Sequence, residues 1–213
     1  MALIRILFLM LFARPLARVI TGADVIGADN LPRAGPAIIA ANHNSHVDTL
    51  LLLTMFPVRL IPKLRPAAAA DYFLKGPMIG WFSRNVVGIV PVERTKAGTG
   101  EDVLAPTREA LKGGAIVFVF PEGTRGDASD EIGELKTGVA RLAHDVPGTN
   151  VIPVWIEGAG RVLPKGARVP VPMNCTVLIG APLTWTGDRI SFMLALREAL
   201  LALRAEAPPQ RWR

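Results

Sequence analysis

At 213 residues the chain is long enough for one domain with a substantial core, and its single cysteine excludes an internal disulfide framework and cysteine-built metal sites. Half of the residues are apolar and mean hydropathy is +0.35, yet no apolar run reaches the roughly 18 residues a spanning helix needs, so the excess apolarity belongs to the core or to a membrane surface. The net charge of +6 is spread along the chain and aromatic residues make up only 6%, which disfavours a nucleic-acid groove and favours anionic headgroups, phosphorylated substrates or an acidic carrier protein.

Residues 1–23 form an apolar and basic segment. Leu3 to Phe12 is apolar apart from Arg5, Arg14 and Arg18 follow, and no acid precedes Asp24. Pro15 and the two arginines stand where a signal peptide needs small residues and a cleavage site. Ten apolar residues at about 1.5 Å each cover roughly half a bilayer core. The expectation is a helix that lies on or dips into one leaflet, arginines at headgroup level, in preference to a plain core helix.

Residues 24–205 alternate short β-branched runs with helical stretches. Ala37–Ala41 reads as a strand bounded by Gly35-Pro36, with a helix through Thr49–Leu53 ending before Pro57. Val58–Pro62 and Val86–Val92 read as strands on either side of a helical stretch at Pro77–Ser83. Glu101–Lys112 reads as a helix stopped by Gly113-Gly114, and Ala115–Phe120 as the clearest buried strand. Thr137–His144 is a short helix, Val151–Ile156 and Cys175–Ile179 are strands, and Asp188–Ala205 is a long final helix. Cys175 is expected to be a buried strand residue. Residues 206–213, with Pro208-Pro209, read as a frayed tail. The alternation predicts an α/β fold, a single domain with a mixed central sheet flanked by helices.

Two segments carry chemistry. Asn42-His43-Asn44-Ser45-His46-Val47-Asp48 supplies a histidine and a carboxylate five positions apart, enough for a general base and the group that orients it. Ser45-x-x-Asp48 before an apolar run is also a capping box. If Ser45 caps the helix, Asp48 sits in its first turn and His43 in the entering loop, folded back over the same end. The second segment, Phe120-Pro121-Glu122-Gly123-Thr124-Arg125, places a glycine turn and an arginine after a buried strand, enough to hold a phosphate with backbone N–H groups and a guanidinium fork. There is no Gly-x-Ser-x-Gly elbow, so a covalent serine route lacks its usual support.

The pairing and order of these segments resemble the glycerolipid acyltransferase family, the lysophosphatidic acid acyltransferases in particular. His43 and Asp48 fit its His-x4-Asp motif, and residues 120–125 fit its Phe-Pro-Glu-Gly-Thr-Arg motif without a mismatch. Gly88-Ile89-Val90-Pro91-Val92-Glu93-Arg94 and Val151-Ile152-Pro153-Val154 resemble two weaker blocks, in the same order. The resemblance implies acyl transfer from an acyl-CoA or acyl-acyl-carrier-protein thioester to a lysophospholipid hydroxyl, most simply 1-acyl-sn-glycerol-3-phosphate, with no cofactor and no metal. It implies His43 and Asp48 as catalytic residues and Arg94, Glu122, Gly123, Thr124 and Arg125 at the acceptor and its phosphate. Ser45 and Lys136 are weaker candidates. His46 is expected near the acceptor, exposed in the first helical turn.

Two other classes of function stay open on the residues alone. One is a metal- or histidine-dependent hydrolase of lipids or phosphoesters, with His43, His46 and Asp48 as ligands, although His-x-x-His-x-Asp departs from the His-x-His-x-Asp-His array of binuclear zinc hydrolases. The other is an inactive membrane-binding module of the same fold. The apolar segment, the lack of a cleavage pattern and the single cysteine place the protein, in expectation, on the cytoplasmic face of a membrane as a peripheral or monotopic protein.

Overall fold

The computed structural model describes residues 1–70, 76–93, 102–124, 126, 132–164, 166–167 and 169–208. The chain opens with helix α1 (Ala2–Phe8), a π turn (Leu9–Ala13) and α2 (Arg14–Thr21), which follow one another in helical backbone and end on Gly22 at φ 46°. Strand β1 (Asp24–Ile26) follows, then β2 (Ala37–Ala41) and α3 (His46–Thr54). A 3-10 turn (Val58–Lys63) leads into β3 (Leu64–Ala69). Helix α4 (Pro77–Phe82) runs into a π turn (Ser83–Val87) and β4 (Val90–Val92). Next come α5 (Ala105–Lys112), β5 (Ile116–Val119), α6 (Gly138–Asp145) and β6 (Asn150–Glu157). The short α7 (Ala159–Val162), β7 (Thr176–Ile179) and the long α8 (Arg189–Glu206) complete the fold.

Among the described residues, seven strands form one mixed sheet in the order β1-β7-β6-β2-β5-β3-β4. All neighbours are parallel except β6 and β7. The central strands are apolar on both faces because helices cover both, as parallel sheets require. Alternation then sorts their residues. Ile39, Phe118 and Ile152 face a core shared with α3 and the N-terminal helices, while Ile38, Val117 and Val151 face α6 and α8. Arg108 joins α5 to α6, donating to Asp102 at 2.6 Å and Asp145 at 2.7 Å. That bond keeps the Asp102 carboxyl below its usual pKa, and His144, then Arg108, do the same for Asp145.

Several elements differ from the sequence reading for physical reasons. Val58–Pro62 is not a strand. Leu60 N–H turns back to the Pro57 carbonyl, a 3-10 start that proline's fixed φ favours, and the strand follows at Leu64. Only Val90–Val92 of the expected strand 86–92 is extended, since Ser83–Val87 is still helical and Gly88, at φ 81°, makes the exit. Helix α5 starts at Ala105 because Pro106 suits a first turn. The edge strand β1 is three exposed residues, Asp24–Ile26, too short for an alternation to announce it. Cys175 is buried, just ahead of β7.

The N-terminal segment differs most. Leu9, Ala13, Ala17 and Ile20, about four residues apart, are buried against the core. Leu3, Leu7, Leu11, Phe12, Leu16 and Val19, on the other side, are exposed. It is therefore a core helix along one face and an uncovered apolar surface along the other. Arg14 is not a free headgroup arginine either, because its guanidinium donates to the Phe56 carbonyl. No helix among the described residues is long and apolar enough to cross a membrane.

Candidate active site

Two loops separated by almost eighty residues meet because the strands that deliver them are neighbours. β2 and β5 pair in parallel with Ala40 opposite Val119, so the turns after both strands leave the same end of the sheet. Asn42 fastens the first of these exits. Its side chain accepts from Ile156 N–H at 2.7 Å and donates to Ile156 carbonyl at 2.9 Å. Gly126 N–H donates to the His43 carbonyl at 2.8 Å, strapping the second loop to the first.

The capping pattern forms as the sequence suggests. Ser45 is the N-cap of α3, its Oγ accepting from Val47 N–H and donating to Leu163 carbonyl at 3.0 Å. Asp48 Oδ2 accepts from the N–H groups of Asn44 and Ser45, each at 2.8 Å, and meets His43 Nδ1 at 2.9 Å. A carboxylate oxygen only accepts here, so Nδ1 carries the hydrogen and Nε2 is the ring's free lone pair. The His43 ring lies on Phe120, centroids 4.0 Å apart and planes 19° from parallel. The Asp48 side chain is 1% exposed and that of His43 16%. The carboxylate is sealed and the imidazole is reachable.

Glu122 is buried and supports the His43 backbone. Its Oε1 accepts from His43 N–H at 3.0 Å and its Oε2 from Gly133 N–H at 3.2 Å. Gly133 is held in turn by Arg197 of α8, which donates to its carbonyl at 3.2 Å. Gly123, at φ 75°, makes the turn after β5, and Lys136 packs where a Cβ would project from it. Thr124 and Lys136 line a cavity beside His43. Arg94 and Arg125 lie outside the described residues.

That cavity, about 1040 Å³, is large for a small-molecule site, where about 300–1,000 Å³ is usual. Its walls are mostly apolar, with Leu50 and Leu53 from α3, Pro66 from β3 and Leu142 from α6. His46 lines it too and is partly buried, not exposed as the sequence suggested. Among the described residues, no group of three or more His, Cys, Asp or Glu side chains is arranged to hold a metal ion. Sequence reasoning missed the cavity and the Phe120 platform. The only advance signal for the platform was an aromatic residue ending a buried strand.

The chain matches the acyltransferase family over residues 22–157. It is 33% identical over 146 residues to the chloroplastic 1-acyl-sn-glycerol-3-phosphate acyltransferase LPAT1 of Arabidopsis thaliana, covering 68% of this chain and 38% of that protein. It is 30% identical over 181 residues to the 1-acyl-sn-glycerol-3-phosphate acyltransferase of Pseudomonas aeruginosa, covering 83% and 66% respectively. Its fold is that of the crystal structure of the 1-acyl-sn-glycerophosphate acyltransferase PlsC from Thermotoga maritima, with a TM-score of 0.74, 23% identity and coverage of 95% and 81%. This chain belongs to the acyltransferase family. It spans well under half the length of the Arabidopsis relative and about two thirds of the Pseudomonas one.

Removing the His43 ring and removing the carboxylate that holds its backbone are expected to have separable consequences. With His43 read as a general base, His43→Ala is expected to leave a folded protein and to lower turnover by about 10² to 10⁴. Glu122→Gln turns an amide NH2 toward a backbone donor, so it lowers both kcat and Tm while leaving acceptor KM nearly unchanged. Steady-state kinetics with thermal denaturation checks both. A raised acceptor KM with intact kcat in Glu122→Gln marks that carboxylate as an acceptor ligand instead.

Proposed function

We propose that this protein is an O-acyltransferase of phospholipid biosynthesis that moves a fatty acyl group from a thioester to the free hydroxyl of 1-acyl-sn-glycerol-3-phosphate. The observation that carries the proposal is the oriented His43–Asp48 pair beside a mostly apolar cavity of about 1040 Å³, and the relatives' names give the acceptor. His43 Nε2 takes the acceptor hydroxyl proton as the oxygen attacks the thioester carbonyl. The tetrahedral intermediate collapses by breaking the C–S bond, and the histidine returns the proton to the departing thiolate. Asp48 holds the ring and stabilises its charged form while the proton is on it. The donor is acyl-CoA or acyl-acyl-carrier protein, and the chemistry needs neither a cofactor nor a protein nucleophile.

Arg125 and Arg94 hold the acceptor phosphate in this reading, with Gly123, Thr124 and Lys136 around it. Support comes from their motif positions and from the place of Thr124 and Lys136 in the cavity wall. The acceptor is itself a bilayer component. The exposed apolar side of α1 and α2, with the net positive charge, therefore seats the protein peripherally on an anionic leaflet, the cytoplasmic one.

Two measurements test this. A panel of lysophosphatidic acid, glycerol 3-phosphate and a lyso-ornithine lipid against both donors is expected to show transfer to lysophosphatidic acid, with Arg125→Lys and Arg94→Ala raising acceptor KM more than donor KM, because a lysine loses the two-pronged geometry. An unchanged acceptor KM with a raised donor KM puts the phosphate elsewhere.

For the membrane, deleting residues 1–20 would strip Leu9, Ala13, Ala17 and Ile20 from the core. Surface substitution is cleaner. Leu11→Glu with Phe12→Glu is expected to weaken binding to anionic vesicles in flotation without lowering Tm. Undiminished binding contradicts that surface.

A further inference from the structure

Arg5 is 3% exposed, in the first turns of a helix whose neighbouring residues are apolar. Among the described residues its guanidinium is met by carbonyls, not by a carboxylate. It donates to Leu64 and, at 2.8 Å, to Val87, with Pro62 at the limit of reach at 3.5 Å. Burial, and then the charge of Arg65, lower its pKa to about 10, which still leaves it charged at neutral pH. Val87 ends the π turn Ser83–Val87 and Pro62 lies in the last turn of the 3-10 stretch. Carbonyls at helix ends lack intrahelical partners, and here one cation gathers them.

Gly88 makes room for this cation. A Cβ there would come within 2.4 Å of Arg5 Cζ and within 2.6 Å of both terminal nitrogens, on a backbone already at φ 81°. The glycine that opens the block 88–94 is thus dictated by a side chain more than eighty residues earlier. No local turn rule would have found that pairing.

The segments held by the guanidinium are walls of the cavity beside His43. Phe8 and Leu9, one turn beyond Arg5, line it, as do Pro66 of β3 and Val87 and Ile89 on either side of Gly88. Losing the clasp frees the N-terminal helix to shift against β3 and residues 83–90, which alters the cavity without touching the His43–Asp48 pair.

We propose that Arg5 is a specificity-determining positioning residue: by clasping the backbone at Leu64 and Val87 it fixes the wall of the apolar cavity and so sets the length of acyl chain the site accepts. The proposal rests on the reading of that cavity as the place of the donor's acyl chain. Arginine suits the task because one planar group donates in several directions. Lysine, with a single ammonium, cannot span the same carbonyls. Methionine matches the bulk and offers no donor.

The test is a series of saturated acyl thioesters from ten to twenty carbons, assayed on the full chain with lysophosphatidic acid as acceptor. Arg5→Met is expected to flatten the length profile, raising kcat/KM for the longest thioester relative to the best by about tenfold, the scale on which apolar pockets discriminate methylenes. Acceptor KM should stay unchanged, and Arg5→Lys should fall between. A loss of activity by the same factor at every length overturns the proposal, because a purely structural role predicts that result. If Arg5→Met does not fold, Arg5→Lys carries the comparison alone. If the wild type transfers no acyl group from any thioester, the acyltransferase reading fails on its own. Displacement of a fluorescent fatty acid by acyl thioethers of the same lengths then reads the cavity directly. A sharper length preference in the wild type than in the variant supports the clasp, and identical preferences overturn it.

Discussion

Asp48 Oδ2 receives the N–H groups of Asn44 and Ser45 and the Nδ1 hydrogen of His43, all within 2.9 Å. The first two bonds satisfy orphan donors at the start of α3, and the third fixes the imidazole. One buried oxygen therefore starts a core helix and orients the His43 ring. Because α3 buries Leu51, Leu52 and Leu53 against the sheet, the position of the His43 ring is tied to the packing of the domain. An amide at position 48 would turn NH2 toward some of these donors, so fold and chemistry cannot be perturbed separately there. His43 is the cleaner handle, since its ring caps no helix and rests on Phe120 at the cavity wall.

The rest of the site follows from sheet topology. β2 occupies the middle of seven strands, between β6 and β5, where neither edge nor solvent can move its end. Three straps then hold the histidine's backbone: Asn42 to β6, the Glu122 carboxylate on the His43 N–H, and Gly126 on the His43 carbonyl. Glu122 is anchored through Gly133 to α8 on the far layer. The acidic residue of a phosphate-type motif thus has a physical use that needs no contact with a phosphate. The cavity is bounded by α3 and the N-terminal helices on one side and by α5 and α6 on the other, with β3 between. Its apolar walls and the polar dyad come from different layers that share one sheet end.

Much of this was legible in the sequence because local rules carry it. The capping box at Ser45 and Asp48, the buried strand before Glu122, and the α8 periodicity are written in neighbouring residues. What escaped depends on partners far along the chain. Strand β3, Leu-Arg-Pro-Ala-Ala-Ala, has poor strand propensity and is extended because β4 and β5 flank it. Arg5 looked like an interruption of a membrane segment, yet its burial is set by carbonyls 57 or more residues away. The N-terminal segment was legible by half: its apolarity is real, but a run with no polar face hides which side meets the core. Arg94 and Arg125 were named as phosphate ligands from motif position alone, and both lie outside the described residues.

The central claim is that Asp48 turns His43 into a base acting through Nε2. The most direct measurement is the 15N NMR spectrum of the His43 ring in the full chain, at a pH where the ring is neutral, with His46 and His144 assigned by substitution. The account predicts the Nδ1–H tautomer, with Nε2 bearing the free lone pair. A neutral ring protonated at Nε2 would contradict it, because the lone pair would then face Asp48 and no base would face the cavity.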